Sequence, residues 1–273
     1  MKTERLDHLV REQLQISPEE ATGLIMAGRI YIGHIPADKP GMSVPADTVI
    51  TKKEKARKYA SRSGYKLQKA LAVFGVDPTE KTVCDIGASN GGFTDCLLQH
   101  GAAHVFAVDV AYGILAWELR NDERVTVLER TNARNLTAEQ LNSTVCDMVT
   151  ADVSFISLTK IFPAINRVLS EDGVCITLIK PQFEAPRQAL GKNGIVKDPS
   201  ILPALFCSIF RSAAENGLYL KDLTVSPIHG TNGNVEYLAL FSRKEQSDEI
   251  VWNAKIEQAI TTVPDEDLTG GAE

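Results

Sequence analysis

Residues Asp85-Ile86-Gly87-Ala88-Ser89-Asn90-Gly91-Gly92-Phe93-Thr94-Asp95 constrain the fold of this chain more than any other stretch. They follow Thr82-Val83-Cys84, a run suited to a buried parallel strand, and lead into Cys96-Leu97-Leu98, which reads as a helix. A strand that feeds a glycine-rich turn into a helix lets backbone N–H groups approach a nucleotide-like ligand. The spacing is not the dinucleotide fingerprint Gly-x-Gly-x-x-Gly, because position 89 is Ser. What stands here is Asp-x-Gly-x-x-x-Gly-Gly, and the next strand, His104-Val105-Phe106-Ala107-Val108-Asp109, closes on an acidic residue.

From residue 80 onward strand-like and helical runs alternate. Strands are predicted near 82–87, 104–110, 125–130, 145–153, 173–180, 220–226 and 235–242, and helices near 93–100, 112–120, 157–169 and 201–216. Such β-α repeats imply a parallel sheet covered on both faces. Only a short segment with Pro227, Gly230 and Gly233 joins the last two strands, too little for a crossover helix, so they are expected to pair antiparallel. Ligands of open α/β sheets lie beyond the carboxyl ends of the strands. The Asp85–Gly92 turn, Asp109, Asp152 and Lys180 all fall at such ends, and Glu236, opening a reversed last strand, falls on the same edge. Lys66 precedes the first of these strands on a helix with Leu67, Leu71 and Phe74, closed by Gly75.

The first 58 residues have a different texture. Leu6, Leu9, Val10 and Leu14 recur at helical spacing, Ser17-Pro18-Glu19-Glu20 starts a second helix through Ala21, Leu24 and Ile25, and short strands follow near Ile30 and Ile50. A unit this small is expected to lean on its neighbours or on a ligand. The run Thr51-Lys52-Lys53-Glu54-Lys55-Ala56-Arg57-Lys58 has no apolar period and reads as an exposed basic linker. Net charge is −6 overall, yet residues 1–69 carry +5, residues 70–244 carry −4 and residues 245–273 carry −7. A basic front end is the pattern of a nucleic-acid face, and the total conceals it. Residues 246–273 form an acidic tail in this reading, with 264–273 disordered. The five cysteines are odd in number and lack Cys-x-x-Cys spacing, which points to free thiols in a reducing compartment. No spanning apolar run and no signal-peptide core are present, so the expected location is cytoplasmic. The five histidines never stand at metal-ligand spacing, and no metal is expected.

These features carry a resemblance. The strand, glycine turn, helix, strand and terminal Asp109 resemble the S-adenosylmethionine site of class I methyltransferases, which implies a Rossmann-like sheet of seven strands with the last one reversed. Arg5-Leu6-Asp7, the run Ala21 to Ile32, and Asp38-Lys39-Pro40-Gly41 with Val44 look like the ribosomal-protein-S4-type RNA-binding domain. Lys66, Asp152, Lys180 and Glu236, in that order, resemble the Lys-Asp-Lys-Glu tetrad of the FtsJ-type RNA ribose 2′-O-methyltransferases. The words Ala151-Asp152-Val153-Ser154-Phe155-Ile156 and Ile179-Lys180-Pro181-Gln182-Phe183-Glu184 extend the similarity to the TlyA family, often labelled haemolysin-like, of ribosomal RNA methyltransferases. It covers the chain to about residue 243 and departs at Tyr59–Tyr65, where the family more often shows a valine and a second glycine.

The resemblance implies an S4-type domain with basic linker over 1–58, an FtsJ-like domain over 59–245, and methylation of a ribose 2′-hydroxyl of 16S or 23S ribosomal RNA at a cytidine. It implies S-adenosylmethionine as cofactor, with Asp85, Gly87, Ser89, Asn90, Gly91, Asp109 and Asn132 as binding residues, and ribosomal RNA or subunits as partner. Arg5, Arg11, Arg29, Lys39, Lys52, Lys53 and Arg62 would face the RNA. Methyl transfer from a sulfonium needs an aligned hydroxyl relieved of its proton, not a metal. Lys180 would receive or steer that proton with Asp152 orienting it, and Lys66 and Glu236 would position the ribose. Carboxylates favour the charged form of a lysine, so Lys180 could instead stand as a cation beside the developing alkoxide while water takes the proton. The competing readings are an RNA-binding protein that keeps the fold without catalysis, a small-molecule methyltransferase, and a haemolysin. Oligomeric state is left open. Phe93 is read as core, and the loop 184–197, with Arg187, Lys192 and Lys197, as either a lid or a plain surface loop.

Overall fold

The structure is a computed structural model and describes residues 3–26, 28–33, 35–37, 39–52, 58–230, 233–244 and 249–262. By contacts the chain divides into two units, one of residues 1–58 with 116–122 and one of the remainder.

The first unit runs β1 (Thr3–Arg5), α1 (Leu6–Leu14), α2 (Pro18–Met26), β2 (Ile30–Ile32), β3 (Ile35–Ala37), β4 (Ser43–Pro45) and β5 (Ile50–Lys52). β1 pairs antiparallel with β4, and β2 lies between β3 and β5 with both pairings antiparallel. Pro18 stands at the start of α2, where its missing N–H costs nothing. Leu6, Leu9, Val10, Ala21, Leu24, Ile25, Ile30, Ala37, Val44 and Ile50 form a closed core, so the unit has an apolar centre of its own. Trp117 and Glu118, from a distant part of the chain, cluster with it. A Cβ on Gly23 would lie 2.6 Å from the Trp117 ring, and Arg29 Nη1 is 3.3 Å from Glu118 Oε1.

The second unit contains α3 (Ser63–Phe74), β6 (Thr82–Ile86), α4 (Gly92–Gln99), β7 (His104–Val108), β8 (Val125–Leu128), β9 (Cys146–Ala151), α6 (Phe162–Val168), β10 (Leu169–Ile179), α7 (Pro181–Glu184), α8 (Leu202–Glu215), β11 (Tyr219–Val225), β12 (Tyr237–Ser242) and α9 (Glu249–Thr261). The short helix α5 (Trp117–Arg120) belongs to the first unit. The seven strands lie in the order β11-β12-β10-β9-β6-β7-β8. β12 is antiparallel to both neighbours and the other pairings are parallel, as the spacing predicted. Cys84, Ile86, Val149, Ala151, Cys175, Ile179, Ala239 and Phe241 face the core built with α6, α8 and α9, where Phe206 meets Tyr237 and Phe210 meets Trp252 at ring-centroid distances of 4.9 and 5.8 Å. Central strands buried on both faces explain why they read as unbroken apolar runs.

Two expectations change. The helix predicted over 112–120 shrinks to Trp117–Arg120, because Gly113 turns the preceding chain at φ +73° and its N–H is held by Glu129 Oε1 at 2.8 Å. The stretch set apart as an acidic tail is helical from Glu249 to Thr261, and Trp252, Ile256 and Ala259 join the main core. The disorder expected for 264–273 falls outside the described residues.

Candidate active site

The glycine turn is stitched to its neighbours by backbone bonds before any side chain acts. The Gly87 and Ala88 N–H groups donate to Val108 O at 2.8 and 3.1 Å, and the Asp152 N–H donates to Ile86 O at 2.9 Å. Asp152 therefore lies against Gly87, where φ is +83° and a Cβ would come within 2.5 Å of the Asp152 carbonyl oxygen. Only glycine satisfies both demands. Gly91 caps α4 at φ +92°, and a Cβ on Gly92 would collide with the hydroxyls of Ser61 and Ser63. Glycine at these positions lets the turn pack directly against the Asp152 backbone and the two serine hydroxyls.

Two aspartates at adjacent strand ends have opposite surroundings. Asp85 is fully buried, accepting from Thr94 Oγ1 at 2.7 Å and Thr150 Oγ1 at 2.9 Å. Burial raises its pKa to about 6 against the pull of those two hydroxyls. It braces the turn from beneath, and the structure does not bring it to the cleft surface, contrary to its assignment as a cofactor ligand. Asp109 is half-buried; Oδ2 accepts from the Ser89 N–H and Oδ1 from the Ala111 N–H, both at 2.8 Å. A carboxylate offers about four acceptor sites, so each oxygen keeps capacity for a ribose hydroxyl. Ser89, at φ +50°, and Asn90 are exposed on the turn. Asn132 is exposed too, but its side-chain oxygen accepts from the Arg134 N–H and caps the turn that follows.

A cleft of about 240 Å³ opens above the turn, lined among others by Ser61, Ser63, Gly87, Ser89, Phe93 and Ser154. Lys66, Asp152, Lys180 and Glu236 all reach it. α3 delivers Lys66, and the reversal of β12 delivers Glu236, as the topology required. Lys66 Nζ donates to Glu236 Oε2 at 2.5 Å, and both side chains are almost sealed from solvent. Gly230 leaves room for that carboxylate, since a Cβ there would collide with it. Lys180 Nζ donates to Ser154 Oγ at 2.9 Å and lies 2.6 Å from Asp152 Oδ1, a charge contact whose angles do not make it a hydrogen bond. Phe93, read as core, is buried and also forms part of the cleft wall.

Ser61, Ser63 and Ser154 were not singled out in the sequence. A serine two residues beyond Asp152 was the available signal for Ser154. Phe155 is the other surprise: it is 91 % exposed at φ +62°, its ring 5.0 Å from that of Phe183. A bulky side chain in left-handed backbone costs on the order of 1–3 kcal/mol and must be held by its surroundings.

The donor set fits S-adenosylmethionine. The turn offers Gly87, Ala88 and Ser89 to the cleft, Asp109 retains lone pairs that a ribose hydroxyl could use, and two lysines line the same cleft. Among the described residues no three His, Cys, Asp or Glu side chains gather in a way that could hold a metal ion. Arg11, Lys39, Lys52 and Arg62 are exposed, Arg5 pairs with Asp7 at 2.6 Å, and Arg29 is half-buried against Glu118. Lys53, like Asp38, lies outside the described residues.

Comparison with known proteins agrees with this geometry. A Bacillus subtilis protein named "Putative rRNA methyltransferase YqxC" is 45% identical over 238 residues, 87% of this chain and 85% of that one. The "16S/23S rRNA (cytidine-2'-O)-methyltransferase TlyA" of Mycobacterium tuberculosis is 43% identical over 255 residues, 92% of this chain and 93% of that one. The solved structure "Putative hemolysin from Streptococcus thermophilus" superposes with a TM-score of 0.71 at 39% identity, covering 95% of this chain and 96% of that chain. Residues 59–243 match the family described as FtsJ-like methyltransferase, a span that takes in the glycine turn and all four charged residues of the cleft. With sheet, turn and cleft in place, the chain belongs to the FtsJ-like methyltransferase family and uses S-adenosylmethionine as its methyl donor.

Proposed function

We propose that this methyltransferase modifies the ribose 2′-hydroxyl of a cytidine in ribosomal RNA, and that it does so in the cytoplasm. The observation that carries the reading is the convergence of two lysine–carboxylate pairs, Lys66–Glu236 and Lys180–Asp152, on the cleft above the glycine turn. The similarity to the mycobacterial 16S/23S cytidine-2′-O-methyltransferase over 92% of the chain supports the substrate class.

The bound donor supplies an electrophilic methyl group on a positive sulfonium. The chain supplies alignment and proton handling. Lys180 Nζ, tethered by Ser154 Oγ and the Asp152 carboxylate, is the group that meets the ribose hydroxyl. It takes or steers the hydroxyl proton, and its charge stabilises the alkoxide as that develops. Lys66 and Glu236, locked to one another, position the ribose. Asp109 and the exposed Ser89 and Asn90, with Gly87 and Gly91, hold the donor. The N-terminal unit is the RNA-binding element of this reading, of S4 type, and Arg11, Lys39 and Lys52 are its exposed cations toward phosphate.

Radiolabelled methyl transfer from S-adenosylmethionine to purified ribosomal subunits, followed by mapping of the methylated ribose, tests the reading. Label on a cytidine 2′-oxygen, lost in Lys180→Ala with donor binding intact, is expected; label on a base or on protein would overturn it. Replacing Arg11, Lys39 and Lys52 together with Glu is expected to weaken subunit binding while leaving donor affinity unchanged. The hemolysin name of the streptococcal structure suggests membrane activity instead. Among the described residues no helix is long and apolar enough to cross a membrane, and leakage of liposomes at micromolar protein would favour that rival.

A further inference from the structure

The residues proposed to handle the proton come from two segments that leave neighbouring parallel strands. β9 ends at Ala151, opposite Thr177 of β10, and continues as Asp152-Val153-Ser154-Phe155-Ile156-Ser157. β10 ends at Ile179 and continues as Lys180 and then α7. Both segments lie beyond the sheet, so the ladder hydrogen bonds no longer fix their separation. Lys180 bridges them at one end through Ser154 and Asp152.

A second bridge closes the other end. Glu184, the last residue of α7, accepts the Leu158 N–H on Oε1 at 2.8 Å and the Ser157 hydroxyl on Oε2 at 2.6 Å. Ser157 itself caps the turn Leu158–Lys160. Glu184 is half-buried, and burial pushes its pKa upward against those two hydrogen bonds. Between the bridges lie the paired rings of Phe155 and Phe183, with Phe155 in left-handed backbone. The two segments thus form a ring closed at Lys180 and at Glu184. A carboxylate serving only solubility would not spend both oxygens on one turn, and a plain turn needs no partner from the neighbouring segment.

We propose that Glu184 is a positioning residue for methyl transfer: by clamping Ser157 and Leu158 to α7 it holds Asp152, Ser154 and the Phe155 backbone at the distance from which they orient Lys180. This rests on the assignment of Lys180 and Asp152 as the proton-handling pair. Glu184 does not itself reach the cleft wall, so it acts through the segment it holds.

The test uses full-length protein and four variants, Glu184→Ala, Glu184→Gln, Ser157→Ala and Lys180→Ala, measuring kcat and KM for transfer to ribosomal subunits, donor Kd by calorimetry, and melting temperature. Misplacing a reacting group by about 1 Å costs roughly 10²-fold, so Glu184→Ala is expected to lose about that much kcat with donor Kd within about threefold. Glu184→Gln keeps an oxygen for the Leu158 N–H and an amide for Ser157 Oγ, and is expected to recover kcat to within about tenfold of the native enzyme. Ser157→Ala removes the hydroxyl's bonds to Glu184 and Thr159 but keeps the Leu158 N–H bond to Glu184 and stays closer to native packing, so a loss of several-fold in kcat is expected there even if Glu184→Ala does not fold. Native kcat in folded Glu184→Ala and in Ser157→Ala would overturn the proposal, as would a loss confined to donor Kd or melting temperature. Full activity in Lys180→Ala would instead overturn the underlying assignment of the site.

Discussion

The two ends of the cleft use the same pair of residue types in different ways. Lys66 and Glu236 meet at 2.5 Å in a direct hydrogen bond, with side-chain exposures of 10% and 3%. Lys180 and Asp152 are slightly more open, at 11% and 16%; their 2.6 Å contact is a charge contact outside hydrogen-bond angles, and Lys180 Nζ also donates to the neutral Ser154 hydroxyl. A sealed pair joined by a direct, short hydrogen bond resists change. A pair with a misaligned contact and a neutral hydroxyl partner can exchange one of its bonds for a substrate oxygen. The first end is suited to positioning and the second to moving a proton, although composition alone would rank them equal.

Substitution at the open end should break catalysis without breaking the fold. Lys180→Ala is expected to lower kcat by on the order of 10²–10⁴, with donor affinity close to native and less stability lost than at the closed end, checked by single-turnover methyl transfer beside calorimetry. The closed end should behave in the opposite way. Glu236→Ala strands the Lys66 ammonium and is expected to cost about 3–5 kcal/mol in urea unfolding. Replacing both partners together, Lys66→Met with Glu236→Leu, should return most of that stability and none of the activity. If Lys180→Ala proved as destabilising as Glu236→Ala, the distinction between the two ends would collapse. A smaller effect is expected at Asp109→Ala, which frees the Ser89 and Ala111 N–H groups and removes the ribose acceptor. Donor Kd should rise by about 10- to 100-fold with kcat at saturating donor nearly unchanged, and a fall in kcat alone would remove Asp109 from the donor site.

Much of this arrangement was readable from the chain because topology does the gathering. Glu236 is 170 residues from Lys66, yet a reversed last strand sends its first residue to the ligand edge, and that reversal follows from a connection too short for a helix. Other features were hidden for identifiable reasons. Asp85 belongs to the glycine motif, but its position in β6 points it under the turn, where hydroxyls from α4 and β9 receive it; spacing does not report which face a strand residue takes once both faces are buried. The apolar stripe of α9 was present at helical spacing as Trp252, Ile256 and Ala259, and the acidic composition around it masked the signal. The left-handed Phe155 had no signal at all. Its ring partner Phe183 and the Ser157–Glu184 bond beside it both come from across a sequence gap that no local pattern spans.

The two aspartates at neighbouring strand ends extend the comparison to stability, with the smallest effect and a definite sign. Asp109 keeps backbone donors and solvent, whereas Asp85 titrates at about 6 because burial disfavours its charge. Between about pH 4 and 6 the folded chain then holds a proton at Asp85 that the unfolded chain has released, so stability falls as pH rises through that interval and levels off above it. At neutral pH the charged Asp85 costs on the order of 2–3 kcal/mol relative to a neutral isostere. Asp85→Asn still accepts one threonine hydroxyl, and the other can rotate to accept from its amide. The variant is therefore expected to unfold at higher urea than the native chain at pH 7, with the advantage shrinking steadily toward pH 4. Groups elsewhere titrate alike in both proteins and cancel in the difference. Equal stability differences at pH 4.5 and pH 7 would show that Asp85 is charged in the folded protein throughout, and that its two threonines, not burial, set its state.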